Sequence, residues 1–191
     1  MLNKKAFQEM RKHMDTYEKL REELIGISRG VTKTSKHAIY AAHRDDLDGA
    51  KKLLDEAKAN VIKINILITK DVNLALVGAY SEALEEYAEA SIYIHFLKHK
   101  DIPTPKQLEI EAEVYLGALS DTVGELVRRA INSSIKGDFK ASLDIKDAVA
   151  EIYAEMMLFD WRNTPVRKKF DAIKYGLEKL EDLALKIKFK Q

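Results

Sequence analysis

Cysteine is missing from this 191-residue chain, and its absence excludes disulfides, thiolate metal sites and a cysteine nucleophile. Proline and glycine are scarce, at three and eight residues, too few to punctuate a β-rich or disordered chain of this length. No apolar run approaches the ~20 residues that a bilayer-spanning helix needs. The opening Met1-Leu2-Asn3-Lys4-Lys5 leads into an amphipathic charged segment rather than a signal-peptide core. The expected setting is therefore cytoplasmic, with neither export nor membrane insertion. A net charge of +1 argues against bulk attraction to nucleic acid, so any such binding has to come from local patches.

Several catalytic signatures are also missing. No histidine follows a glutamate by three residues, which removes the Glu-x-x-His pairs of ferritin-like di-iron bundles. Glycine-rich phosphate loops do not occur, and no serine or histidine sits in a recognisable nucleophile arrangement. His95 and His99, spaced i, i+4, lack the intervening acid of a zincin and read as a core or surface pair rather than as ligands.

With 46% hydrophobic and 33% charged residues, what remains favours long amphipathic helices. The fold class is all-α: a single domain over residues 1–191, built as a bundle of six to seven long antiparallel helices. Apolar spacing through Tyr17, Leu20, Leu24, Val31, Ile39 and Ala42 predicts a first helix over 4–43, with a possible disturbance at Gly26 and Gly30. Asp45 or Asp46 caps a second over 47–70, and Asp71 or Asn73 opens a third over 73–98, nearly all apolar from Ser91 to Leu97 and so expected to be buried. Thr104-Pro105 starts a fourth that runs until Gly137 stops it. A fifth covers 143–159, and Asn163-Thr164-Pro165 caps a sixth that continues to the C-terminus. Along that last helix Leu177, Leu180, Leu183, Leu185 and Ile187 promise more apolar surface than one bundle needs, which predicts a homo-oligomer.

Four acids stand out on this scaffold. Glu86 with Glu89, and Asp121 with Glu125, are pairs at helical spacing on two different helices. The first pair's stripe continues as Tyr93, Phe96 and Leu97, and the second is preceded by Ile110 and Val114, so both acid faces should be covered by protein. Covered acids repel one another and resist desolvation, and the remedies are protonation, basic partners or a divalent cation. Deleting one acid should on this view leave the metal-free fold as stable or more so. Charge is also segregated along the chain. Arg29, Lys33, Lys36 and Arg44, with His37 and His43, occupy a stretch without acids from Glu23 to Asp45, whereas 71–97 carries no Lys or Arg. Segregated helix faces that pair with each other or with solvent explain such a pattern equally well.

The segment Tyr115-Leu-Gly-Ala-Leu-Ser-Asp-Thr-Val-Gly-Glu-Leu-Val-Arg-Arg-Ala-Ile-Asn-Ser-Ser-Ile-Lys-Gly-Asp138 closely resembles the signature helix of the translin family. Three further stretches agree in order: Ile27-Ser-Arg-Gly-Val-Thr-Lys-Thr-Ser-Lys-His37 and onward to Arg44, Glu86-Tyr-Ala-Glu-Ala-Ser-Ile-Tyr-Ile-His-Phe96, and Arg167-Lys-Lys-Phe-Asp-Ala-Ile-Lys-Tyr175. The Trax branch fits better than the translin branch, although the chain lacks the long insertion that Trax proteins carry before the signature helix. The resemblance implies an all-helical subunit of an octameric shell that binds single-stranded or short RNA and, in the Trax branch, cleaves it as a metal-dependent endoribonuclease. It also selects Glu86, Glu89, Asp121 and Glu125 as catalytic and metal-binding acids. Oxygen-only ligands suit Mg²⁺ or Mn²⁺. Arg29, Lys33, Lys36, His37, Arg128 and Arg129 are the candidates for holding the nucleic-acid backbone. A translin-type shell that binds without cutting, or a helical interaction scaffold, are the alternatives.

Overall fold

The computed structural model describes residues 2–190, and within them the chain is helical with no strand. Seven α-helices follow in order: α1 Lys4–His43, α2 Leu47–Lys70, α3 Gly78–His99, α4 Pro105–Leu108, α5 Ala112–Ile135, α6 Phe139–Met156 and α7 Pro165–Lys190, with a 3₁₀ turn Val72–Leu76 between α2 and α3. The chain resolves into two compact units, one ending at Tyr87 and the other beginning at Ala88.

In the first unit α1 and α2 form a long hairpin. Asp46 caps α2, its side chain accepting from the Gly49 N–H at 2.8 Å. The seam is apolar and closely packed: Leu24, Val31, Ala38, Ala42, Ala50, Ala57 and Ile64 are fully buried. Small alanines let two helices approach closely, and the i, i+4, i+7 spacing keeps them on one stripe. The expected third helix begins later than predicted. Asp71 turns its carboxylate back onto the Asn73 N–H at 2.9 Å, the chain tightens into the 3₁₀ turn, Leu74 plugs the hairpin at 0% exposure, and α3 starts only at Gly78.

In the second unit α5, α6 and α7 pack pairwise around Val123, Leu126, Ala130, Ile145, Val149, Ile173 and Leu180. Residues of α3 from Ala88 on are buried almost without interruption through Phe96, as its apolar run predicts. The expected fourth helix is two. Thr104 and Gln107 close a reciprocal capping box around α4, but Glu109 adopts a left-handed conformation (φ 57°) that ends it after one turn. That turn directs Ile110 into the core, 8% exposed, and the Tyr115 hydroxyl donates to the Pro103 carbonyl at 2.8 Å, pinning the loop. Gly137, at φ 84°, ends α5 where expected. The next helix is shifted from 143–159 to Phe139–Met156, because the Asp138 side chain caps it by accepting from the Ala141 N–H and the Trp161 indole closes its far end by donating to the Met156 carbonyl. On α7 the apolar stripe is largely used within its own unit: Leu180 and Ile187 are 1% and 4% exposed, and of the leucines singled out only Leu185 is mostly open. Exposed apolar side chains lie elsewhere as well, at Ile62, Ile66, Val72 and Leu76 in the first unit. Among the described residues no helix is long and apolar enough to cross a membrane.

Candidate catalytic acids and nucleic-acid interface

All four acids are half-buried, neither solvated nor fully enclosed. Glu86 and Glu89 lie one turn apart on α3. The Glu86 carboxylate, 18% exposed, is held by the Lys36 ammonium at 2.8 Å. Near Glu89 the packing is intimate, since the Thr122 hydroxyl of α5 reaches the Glu89 backbone carbonyl at 3.5 Å while also donating to the Ala118 carbonyl at 2.8 Å. Asp121 and Glu125 lie one turn apart on α5. Asp121 turns toward α7, where the Lys169 ammonium meets its Oδ2 at 2.6 Å, both side chains about one third exposed. Glu125 has a longer contact, 3.8 Å, with Arg128 on its own helix. Of the three remedies open to covered acids, basic partners are therefore visible for Glu86, Asp121 and Glu125. Among the described residues no three His, Asp or Glu side chains stand together as a metal-holding group.

Lys169 is the residue that sequence reading missed. It lies 48 positions from Asp121, and no local spacing connects them. Burial pushes its pKa below the ordinary 10.5. The pair faces an open groove of about 350 Å³ between α5 and α7, with Ser120, Gly124, Lys168 and Gly176 around it.

Four basic residues of α1 come together on one groove. Arg29, Lys33, Lys36 and His37, spaced along one side of the helix, line a single open groove of about 370 Å³ with Thr32, Tyr40 and, from the start of α3, Ala79 and Glu82. Exposed ammonium and guanidinium groups beside an exposed tyrosine ring form a surface suited to phosphates and a stacked base. Arg128 and Arg129 lie on α5 in the second unit, Arg128 engaged with Glu125. His95 and His99 place their rings 4.5 Å apart, with His95 Nε2 2.9 Å from Asp101.

This architecture, acid-bearing helices within a helical subunit and a basic groove along the first helix, defines a class of fold with close counterparts among solved structures. An AfC3PO–duplex RNA complex superposes with a TM-score of 0.89 at 24% identity, covering 97% of this chain and 98% of that one. Apo-NeC3PO does so with a TM-score of 0.88 at 23% identity, covering 97% of each. The Translin family profile matches residues 19–191, and the chain belongs to that family. An uncharacterised protein of Methanocaldococcus jannaschii is 32% identical over 166 residues, 84% of this chain and 72% of the relative. The Translin-associated protein X of Mus musculus is 24% identical across 96% of this chain and 77% of its own length. Human translin matches 41% of this chain, at 30% identity over 78 residues.

Proposed function

We propose that this chain is a divalent-cation-dependent endoribonuclease acting on single-stranded or short RNA within an oligomeric shell, the octamer being the assembly that the resemblance implies. The observation that carries the proposal is the pair of half-buried acid couples, Glu86 with Glu89 and Asp121 with Glu125, in a chain whose similarity to Translin-associated protein X spans nearly its whole length. A fold-mate has been captured with duplex RNA, which supports nucleic acid as the ligand class.

Carboxylate oxygens are the ligand type that Mg²⁺ and Mn²⁺ take, and two of the acids hold cationic nitrogens at 2.6 and 2.8 Å. Glu89 and Asp121 are the proposed direct ligands, with Glu86 and Glu125 completing the shell or orienting the attacking water. Such a cation supplies charge stabilisation at the phosphate and a more acidic water. The protein's own part is to hold the strand: Arg29, Lys33, Lys36 and His37 neutralise backbone phosphates along α1, Tyr40 offers a stacking face, and Arg128 and Arg129 contribute further positive charge.

One observation favours the binding-only reading, a shell that holds single strands without cutting: the basic groove is formed, whereas three of the acids are paired with basic side chains. Labelled single-stranded RNA, incubated with the purified protein and Mn²⁺ or with EDTA, separates the two. Metal-dependent cleavage that disappears in Glu89→Ala and Asp121→Ala, by about a thousandfold or more, while oligonucleotide affinity and assembly mass persist, is the expected outcome. Salt-sensitive binding with no cleavage under any metal would establish the binding shell instead.

A further inference from the structure

We propose that residues 4–20 of α1 form an arm that pairs antiparallel with the same arm of a second copy of this chain, making one interface of the oligomer. The proposal rests on the oligomeric reading above and is independent of metal and cleavage. Its basis is a mismatch of lengths. At about 1.5 Å per residue the 40 residues of α1 span about 60 Å, whereas the 24 residues of α2 span about 36 Å. The hairpin partner therefore gives out near Arg21, and from Lys4 to Glu23 no residue of α1 is buried. The apolar seam does not give out with it. Leu24, Ser28, Val31 and Ser35, buried in the hairpin, follow one another in alternating steps of four and three residues. The same alternation, run backward through Arg21, gives Tyr17, Met14, Met10 and Phe7. Of these, Phe7, Met10 and Met14 are 42%, 50% and 60% exposed. A helix that carries a heptad seam past the end of its partner presents the surface on which another helix packs. Left uncovered, an amphipathic helix of this length is marginal in water.

The charge along the arm says what covers it. Residues 4–13 carry Lys4, Lys5, Arg11 and Lys12 against a single acid, Glu9. Residues 14–23 reverse the balance, with Asp15, Glu18, Glu22 and Glu23 against Lys19 and Arg21. Arg21, the one charged member of the seam, is held by Glu18 and Glu22 at 2.8 and 3.2 Å. Two arms in parallel would set like charge beside like, whereas antiparallel pairing lays the basic end of each along the acidic half of the other. The contact is isologous, so it closes on a pair and leaves no second sticky face. With Met10 facing Met14 of the partner subunit, Phe7 comes opposite the partner's Tyr17, and unbranched thioethers fill such a seam readily. The tip of each arm then lies toward the open end of the other hairpin. At that end the 3₁₀ turn leaves Val72 and Leu76 74% and 84% exposed, which extends the apolar surface available to the tip.

Light scattering of the full-length chain at micromolar concentration, combined with disulfide cross-linking, tests this. Met10→Glu/Met14→Glu puts acids in the middle of the seam and should lower the assembly mass by at least about twofold. If that variant does not fold, Met10→Gln/Met14→Gln carries the same expectation. Because the chain has no cysteine, engineered ones react alone. Met10→Cys and Met14→Cys subunits produced together should link into a disulfide-bonded pair on mild oxidation, and either variant alone should link far less, since only the antiparallel register brings position 10 of one arm to position 14 of the other. An unchanged assembly mass in the substituted arm overturns the proposal and leaves the oligomer standing. Cross-linking that is strongest within Met10→Cys alone overturns the antiparallel pairing. Unchanged mass together with lost binding to phosphatidylglycerol vesicles overturns it as well, by making the arm a membrane-surface helix. A wild-type chain that is monomeric at every concentration removes the oligomeric reading itself, and the proposal with it.

Discussion

Each of the two units carries one of the proposed acids locked to a lysine from another helix, yet the two pairs are built differently. In the first, Lys36 is the open partner, 51% exposed on the basic groove, and Glu86 is the withdrawn one at 18%. In the second, Lys169 and Asp121 are 30% and 36% exposed, and burial depresses the lysine's pKa. A solvated ammonium can leave its carboxylate for water at little cost, whereas a partly desolvated one depends on its partner. Lys36 can thus serve the groove and the acid alternately. Lys169 is half-buried against Asp121. Helical spacing alone showed four equivalent acids, and tertiary surroundings make them unequal.

The largest effect that sharpens this contrast is on stability. Asp121→Ala removes the carboxylate 2.6 Å from the half-buried Lys169 ammonium and should lower the unfolding free energy by about 1–2 kcal/mol, whereas Glu86→Ala, which releases the exposed Lys36 ammonium to water, should stay within about 0.5 kcal/mol of wild type. Urea unfolding of the metal-free protein measures both. This reverses the sign that mutual repulsion among bare carboxylates led one to expect for Asp121→Ala, because that expectation lacked Lys169. Equal losses in the two variants would erase the distinction between the pairs.

What the sequence made legible follows from how local each signal is. The bounds of α1 and α2 can be read directly, since apolar periodicity runs to His43 and an aspartate cap restarts the helix. The division between α4 and α5 cannot, because Glu109 takes a left-handed conformation with neither glycine nor proline to announce it, and the reason is the remote anchoring of Ile110 and Tyr115. The basic groove could be read because Arg29, Lys33, Lys36 and His37 share one helix face. Lys169 could not, since a contact across 48 residues leaves no periodic trace. Its neighbours in Arg167-Lys-Lys-Phe170 marked the segment as part of the family resemblance without assigning it a role.

A second, smaller effect separates two groups within the second unit by pH. Burial raises the Tyr115 pKa above 10.0, so the fold prefers its neutral hydroxyl, and its contribution is fully present below about pH 10 and lost as pH climbs through the raised value. Lys169 runs oppositely: its pKa is lowered from 10.5, the fold disfavours its charged form, and that penalty fades as pH rises from the lowered value toward 10.5. Tyr115→Phe should therefore cost about 1 kcal/mol at neutral pH through the lost bond to Pro103, with the difference from wild type narrowing above about pH 10. Lys169→Met should instead abolish the upward component of the alkaline profile. Midpoints of urea denaturation from about pH 8 to about pH 11 would show the two slopes, and parallel profiles for all three proteins would mean that neither group is coupled to folding.

The smallest effect returns to the first unit and has a stabilising sign. Gly26 and Gly30 are one turn apart in the interior of α1, beside the basic groove, and the helix passes through both without a break. A Cβ at either position would meet nothing within 4 Å, and neither has the positive φ that demands glycine. Glycine in a helix interior costs about 0.5–1 kcal/mol relative to alanine through backbone entropy. Gly26→Ala, at the more exposed site, should accordingly raise unfolding free energy by up to about 1 kcal/mol, with Gly30→Ala similar and the two nearly additive, if the fold of the single chain were all that mattered. Oligonucleotide affinity measured on the same variants decides what the glycines are for. Higher stability with unchanged binding makes them incidental, while higher stability with weaker binding would mean that a strand or a second subunit approaches the α1 backbone where side chains are missing, leaving the first unit's open face shaped for a partner and the second unit's groove shaped around its own lysine.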